Sequence, residues 1–95
     1  MQRETVTTLG FLLFPGFPMA CLTSAIEPLR AANEIVGRQV FAWKLIGEEA
    51  SPVRSSAEVR FDPDMVLADA SGLDYLFFLS APMSRFHSPK RSNAQ

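Results

Sequence analysis

The chain has 95 residues, 9 Lys+Arg against 10 Asp+Glu and a single His, for a formal net charge of -1. That balance lacks the clustered basic charge with which duplex binders displace counterions, whereas 47% hydrophobic residues, 8 of the chain's residues being Phe, mark a sequence that buries a core. One Cys and one His exclude an internal disulfide framework and a soft-ligand metal cluster, and at this length the chain is one domain or less.

The longest apolar run, Leu9 to Phe14, falls far short of the roughly 18 residues that a membrane span requires. Met1-Gln2-Arg3-Glu4 carries an acid and leads straight into a strand-like segment, unlike a secretory signal. The expected setting is therefore a reducing cytoplasm, with no membrane partner.

Thr5 to Phe14 is apolar on consecutive positions toward its end, which predicts a strand covered on both faces, as in parallel sheets packed by helices. Pro15-Gly16-Phe17-Pro18 ends it. From Met19 to Val36, Met19, Leu22, Ile26, Leu29 and Val36 recur at three- and four-residue spacing opposite Thr23, Glu27, Arg30 and Glu34, the pattern of a helix with one buried face. Gly37 is placed to cap it. Pro28 removes an amide donor and crowds the carbonyl of Ser24, which predicts a kink or a break there.

Phe41 to Gly47 alternates and reads as a second strand, with Lys44 explained by an edge position. Pro52-Val53-Arg54-Ser55 and Glu58-Val59-Arg60-Phe61 flank Ser56-Ala57 like a small hairpin, stopped by Asp62-Pro63-Asp64. Met65 to Ala70 reads as a turn of helix. Leu73 to Leu79 is a third strand, apolar on both faces. Ser88-Pro89 suits a helix start, so the sequence is expected to stop inside an element. A parallel sheet in the order two, one, three leaves Leu73 to Leu79 as an apolar edge. Either another chain completes it, or these residues are the front half of a larger domain.

Four segments in order, Phe14-Pro15-Gly16-Phe17, Ala25-Ile26-Glu27-Pro28-Leu29-Arg30-Ala31-Ala32-Asn33, Pro52-Val53-Arg54-Ser55-Ser56 and Leu73-Asp74-Tyr75-Leu76-Phe77-Phe78, carry a family resemblance. The series resembles the N-terminal half of the ThiJ/PfpI-like, class I glutamine amidotransferase-like domain of AraC-type transcriptional regulators of the GlxA group, over about Thr7 to Ala81. The resemblance implies an α/β, flavodoxin-like, doubly wound three-layer sheet, truncated here after its third main strand. It implies a sensing and dimerising domain, with residues 1–95 its N-terminal portion and the DNA-reading helix-turn-helix module lying beyond Gln95. The expected partners are a small metabolite, such as an amine or amino-acid derivative, and a second copy of the protein, with no direct nucleic-acid contact from this segment.

Enzymatic members of the superfamily use a cysteine on a strand-to-helix elbow with a glutamate from the first helix. Glu27 matches that glutamate by position, and the cysteine position falls beyond this chain's end, so the expectation is a non-catalytic segment. A fragment of a hydrolase or glyoxalase-type enzyme is the alternative. Cys21 has neither a base nor a positive field beside it and reads as a small buried hydrophobe. Many relatives carry a glycine pair after the third strand; here Ser80 and Ala81 stand there, and Ser80 offers a hydroxyl in place of a bare backbone. Ligands of doubly wound sheets bind beyond the carboxyl ends of the strands, an edge that Gly16, Phe17 and Ser80 would line.

The candidate ligand-binding residues are thus Gly16, Phe17, Glu27 and Ser80. Glu27 has an alternative as one of a row of surface ion pairs with Arg30, and Arg30 with Glu34. His87 reads as a loop residue, and Lys90-Arg91 as an exposed basic pair. Trp43, Phe11, Phe14, Phe77 and Phe78 read as core aromatics without need of a cofactor. With one glycine, the turn at Gly16 lacks the offsets of a phosphate cradle or dinucleotide fingerprint, so no cofactor and no metal are expected.

Overall fold

A computed structural model describes residues 5–81. The expectations for His87, the Ser88-Pro89 helix start and Lys90-Arg91 lie outside the described residues. Strand β1 (Thr7–Leu13) leads into helix α1 (Met19–Val36) and returns in β2 (Phe41–Gly47). A short hairpin of β3 (Val53–Arg54) and β4 (Arg60–Phe61) follows, then β5 (Met65–Val66), a single 3-10 turn at Leu67–Asp69, and β6 (Tyr75–Leu79). The main sheet has the order β5-β2-β1-β6, every pairing parallel, so the predicted order of the three long strands holds and the fold is of the α/β, flavodoxin-like class.

The register explains why consecutive residues of β1 are apolar. Leu9 pairs with Trp43 and Tyr75, and Phe11 with Leu45 and Phe77, forming rows on the face that α1 covers. Phe11, Leu13, Phe17, Leu22, Val53 and Leu79 make the buried cluster there, with Met19, Ala25, Ile26 and Leu29 of α1 packed against it. Alternate residues point the other way, where Leu12 and Ile46 pair and are both buried. Gly10 on that face leaves room for neighbouring side chains: a Cβ built on it would lie 2.7 Å from Cδ1 of both Ile46 and Leu73.

Helix α1 ends as the sequence predicts, with Gly37 at φ +85° donating its amide to the Asn33 carbonyl at 2.9 Å. The break expected at Pro28 is absent, and α1 runs as one 18-residue helix. Pro28 and Ser24 both lie on the exposed side, where water can satisfy the carbonyl that loses its donor, while Leu22, Ile26 and Leu29 hold both halves against the sheet. Asn33 ties the helix to the next strand: its Oδ1 accepts from the amides of Val40 and Phe41, and its Nδ2 donates to the Phe41 carbonyl.

A further difference concerns the sheet. Met65 and Val66, expected as helix, form a strand that pairs with Ile46 and Gly47; that pairing stops short of Lys44, where β2 has no outer partner among the described residues and the side chain is exposed, as an edge position predicts. A matched device introduces both outer strands. Asp64 donates its amide to the Leu45 carbonyl (2.6 Å) while its carboxylate accepts from the Leu45 amide (2.7 Å). Asp74 does the same with Thr8, at 2.8 Å in both directions.

Candidate functional site

The turn after β1 lies at the carboxyl ends of the strands. Gly16 adopts φ +87°, a left-handed conformation that L side chains resist, and its amide is committed to the Arg54 carbonyl at 2.8 Å. The next segment of β6 comes alongside: the Phe14 amide donates to the Leu79 carbonyl at 2.9 Å, and a Cβ on Gly16 would stand 3.4 Å from that of Ala81. Gly16 and the exposed Ser80-Ala81 segment therefore adjoin at the carboxyl ends of β1 and β6, as expected.

Phe17 and Glu27 sit differently. Phe17 is 0% exposed, packed edge-on against Phe61 of the hairpin with ring centroids 5.2 Å apart. Its side chain supports the turn from beneath rather than lining the edge, because the turn folds back under the hairpin and an aromatic ring there gains more from burial than from exposure. Glu27 lies on the outward face of α1 with 62% of its side chain exposed, its Oε1 bonded to Arg30 Nε at 2.8 Å, while Arg30 Nη1 reaches Glu34 at 3.1 Å. The hydrogen bond and charge of Glu27, then those of Glu34, raise the Arg30 pKa further above its ordinary value. The structure brings Gly16 and Ser80 to one edge, sets Phe17 in the core and places Glu27 in the ion-pair row.

A feature that sequence reasoning did not single out is an apolar groove of about 390 Å³ between α1 and β6, lined by Leu9, Phe11, Cys21, Ala25 and the 77–79 stretch. Cys21 is exposed rather than buried, since α1 lies over β1 and β2 and leaves the β6 side open. Phe77 and Phe78, expected in the core, are 45% and 67% exposed because β6 is the open edge of the sheet, and Tyr75 of the same strand is 58% exposed. Phe77 stacks on Phe11 at 5.6 Å and on Tyr75 at 6.4 Å, and Phe14 meets Phe78 edge-on. Among the described residues no helix is long and apolar enough to cross a membrane.

No protein-family model matches the chain. Over 73 residues it is 33% identical to the HTH-type transcriptional regulator GbdR of Pseudomonas aeruginosa, covering 77% of this chain and 20% of that protein. The HTH-type transcriptional regulator CdhR of Pseudomonas aeruginosa is 33% identical over 70 residues, covering 74% of this chain and 20% of the relative. The chain thus spans about a fifth of the length of these curated relatives. The crystal structure of an AraC family transcriptional regulator from Pseudomonas putida superposes with a TM-score of 0.72 at 20% identity, over 92% of this chain and 47% of that one. At that identity the likeness speaks for the fold, and it does so for nearly the whole chain. The sequence relatives of this chain are HTH-type transcriptional regulators, and its fold recurs in an AraC family regulator.

Proposed function

We propose that these residues form the front part of the sensor and dimerisation domain of an AraC-type transcriptional regulator, on a ThiJ/PfpI-like, glutamine amidotransferase-like scaffold of the GlxA group. The observation that carries this reading is the conjunction of 33% identity to two HTH-type regulators over about three quarters of the chain with the fold of an AraC family regulator. In this reading the segment senses and does not catalyse, works in the cytoplasm, and leaves DNA contact to a helix-turn-helix module elsewhere in the parent protein. Its near-neutral charge agrees with that division of labour.

The ligand is a small metabolite approaching the edge formed by Gly16 and Ser80, the position at which doubly wound sheets receive ligands. Gly16 shapes the backbone there and Ser80 offers its hydroxyl, with Phe17 holding the turn in place. Glu27 enters this reading only by its match to the family position, since its carboxylate is engaged with Arg30.

Calorimetric screening of the full-length parent protein against amines and amino-acid derivatives, paired with promoter-DNA binding, tests the proposal. The expected result is a metabolite that binds with measurable heat and alters DNA affinity, in a protein that light scattering shows to be a dimer. A parent protein that binds neither DNA nor any metabolite of these classes would refute it.

A further inference from the structure

We propose that Arg54 and Arg60 together form a binding site for a small oxyanion, the carboxylate or phosphate group of a metabolite, on the outer face of the β3–β4 hairpin. Val53 pairs with Phe61 and Arg54 with Arg60 in an antiparallel ladder. Val53 is buried and Phe61 packs against the core cluster, so the alternation of the strands turns both arginines to the opposite face.

Directly opposed residues in such a ladder hold their Cβ atoms about 5 Å apart, and like charges in that position destabilise the pair. Two guanidinium groups so placed can converge on one anion, which changes the repulsion into attraction at both forks. Pro52 and the two arginines line an open cavity of about 310 Å³ there. The protein's own acceptors occupy little of the donor set. Arg54 Nη1 donates to the Glu58 carbonyl at 3.0 Å, and Arg60 Nε makes a solvent-exposed ion pair with Asp62 Oδ1 at 3.7 Å, too long for a hydrogen bond and weak enough for an arriving oxyanion to displace.

The hairpin is also held in place. The Gly16 amide donates to the Arg54 carbonyl and the Ser56 amide to the Phe17 carbonyl, both at 2.8 Å, which fixes the arginine pair to the turn at the carboxyl end of β1. Inside the hairpin, Ser55 is buried and its hydroxyl oxygen accepts from the amides of Ala57 and Val59. The backbone that carries both arginines is therefore set before any ligand arrives, a condition for a geometrically selective site. The site stands whether or not the regulator reading does.

The test is an NMR titration of the full chain at constant ionic strength, with inorganic phosphate in one arm and citrate in the other, following the arginine Nε–H signals. The expected result is saturable movement of the Arg54 and Arg60 signals with those of Arg30 and Arg38 unmoved, and a loss of affinity of about tenfold or more in R54Q and in R60Q. Saturation by phosphate alone or by citrate alone identifies the oxyanion; either upholds the site. Where a glutamine variant disturbs the Val53 and Phe61 backbone signals, R54K, which keeps the charge and loses the fork, replaces it and should also weaken binding. Movement that is linear in concentration, or shared with Arg38, or unchanged in the variants, would overturn the proposal.

Discussion

Replacing Asn33 by Ala removes a side chain that makes three hydrogen bonds to one stretch of backbone. Its Oδ1 accepts from Val40 at 2.8 Å and Phe41 at 2.9 Å, and its Nδ2 donates to the Phe41 carbonyl at 3.0 Å. At about 0.5–1.5 kcal/mol net for each bond, and with partly buried amides regaining some water, the loss is about 2–3 kcal/mol. Because Gly37 already caps the helix through the Asn33 backbone carbonyl, the helix end survives and the damage concentrates in the approach to β2. Urea unfolding followed by the fluorescence of Trp43, the one tryptophan of the chain, measures the total. Amide exchange at Val40 and Phe41 locates it. A midpoint change equivalent to less than about 0.5 kcal/mol, with protection at both amides unaltered, would show that Asn33 does not hold this connection and that the summed bond energies were misapplied.

Gly10→Ala should cost about 1–3 kcal/mol by overpacking, since the added methyl meets Cδ1 of Ile46 and of Leu73 at 2.7 Å and Ile46 is fully buried; calorimetric melting measures it, and a neutral outcome would mean that those side chains move aside freely. Glu27→Gln should leave the urea midpoint unchanged within error, because the Arg30 pair is solvated and exposed ion pairs contribute little. The raised pKa of Arg30 contributes stability that is complete below its ordinary value and lost only as strongly alkaline solution carries the pH through the raised one, so no pH dependence near neutrality arises from it.

The elements that sequence reading recovered are those whose side-chain period is long enough to see. The helix from Met19 to Val36, the strand at Phe41 to Gly47 and the hairpin around Ser56-Ala57 all announce themselves by spacing and by punctuation at Gly37, Pro52 and Pro63. Strand β5 does not, because two residues have no period and their pairing with Ile46 and Gly47 depends on a neighbour distant in the chain. Lys44 did mark an exposed edge, because the pairing of β5 reaches only Ile46 and Gly47.

At the candidate site, the glycine turn and its nearness to Ser80 followed from punctuation and strand order. The burial of Phe17 did not, since it depends on Phe61, 44 residues later by the numbering. The arginine pair was equally hidden. Arg54 and Arg60 are unremarkable in sequence and become opposed only once the hairpin's register is known.

The twin aspartate arrangement ahead of β5 and β6 has a consequence for how the sheet keeps its phase. A parallel strand is free to slide, and a slide of one position reverses which residues look inward. With Asp64 gripping both polar groups of Leu45, and Asp74 gripping both of Thr8, such a slip forfeits two hydrogen bonds at a stroke and swings Phe77 and Leu79 away from the helix. Two short carboxylates thereby act as index marks for the outer strands, guarding alignment where a strand of two residues and a strand of five offer few other contacts to do so.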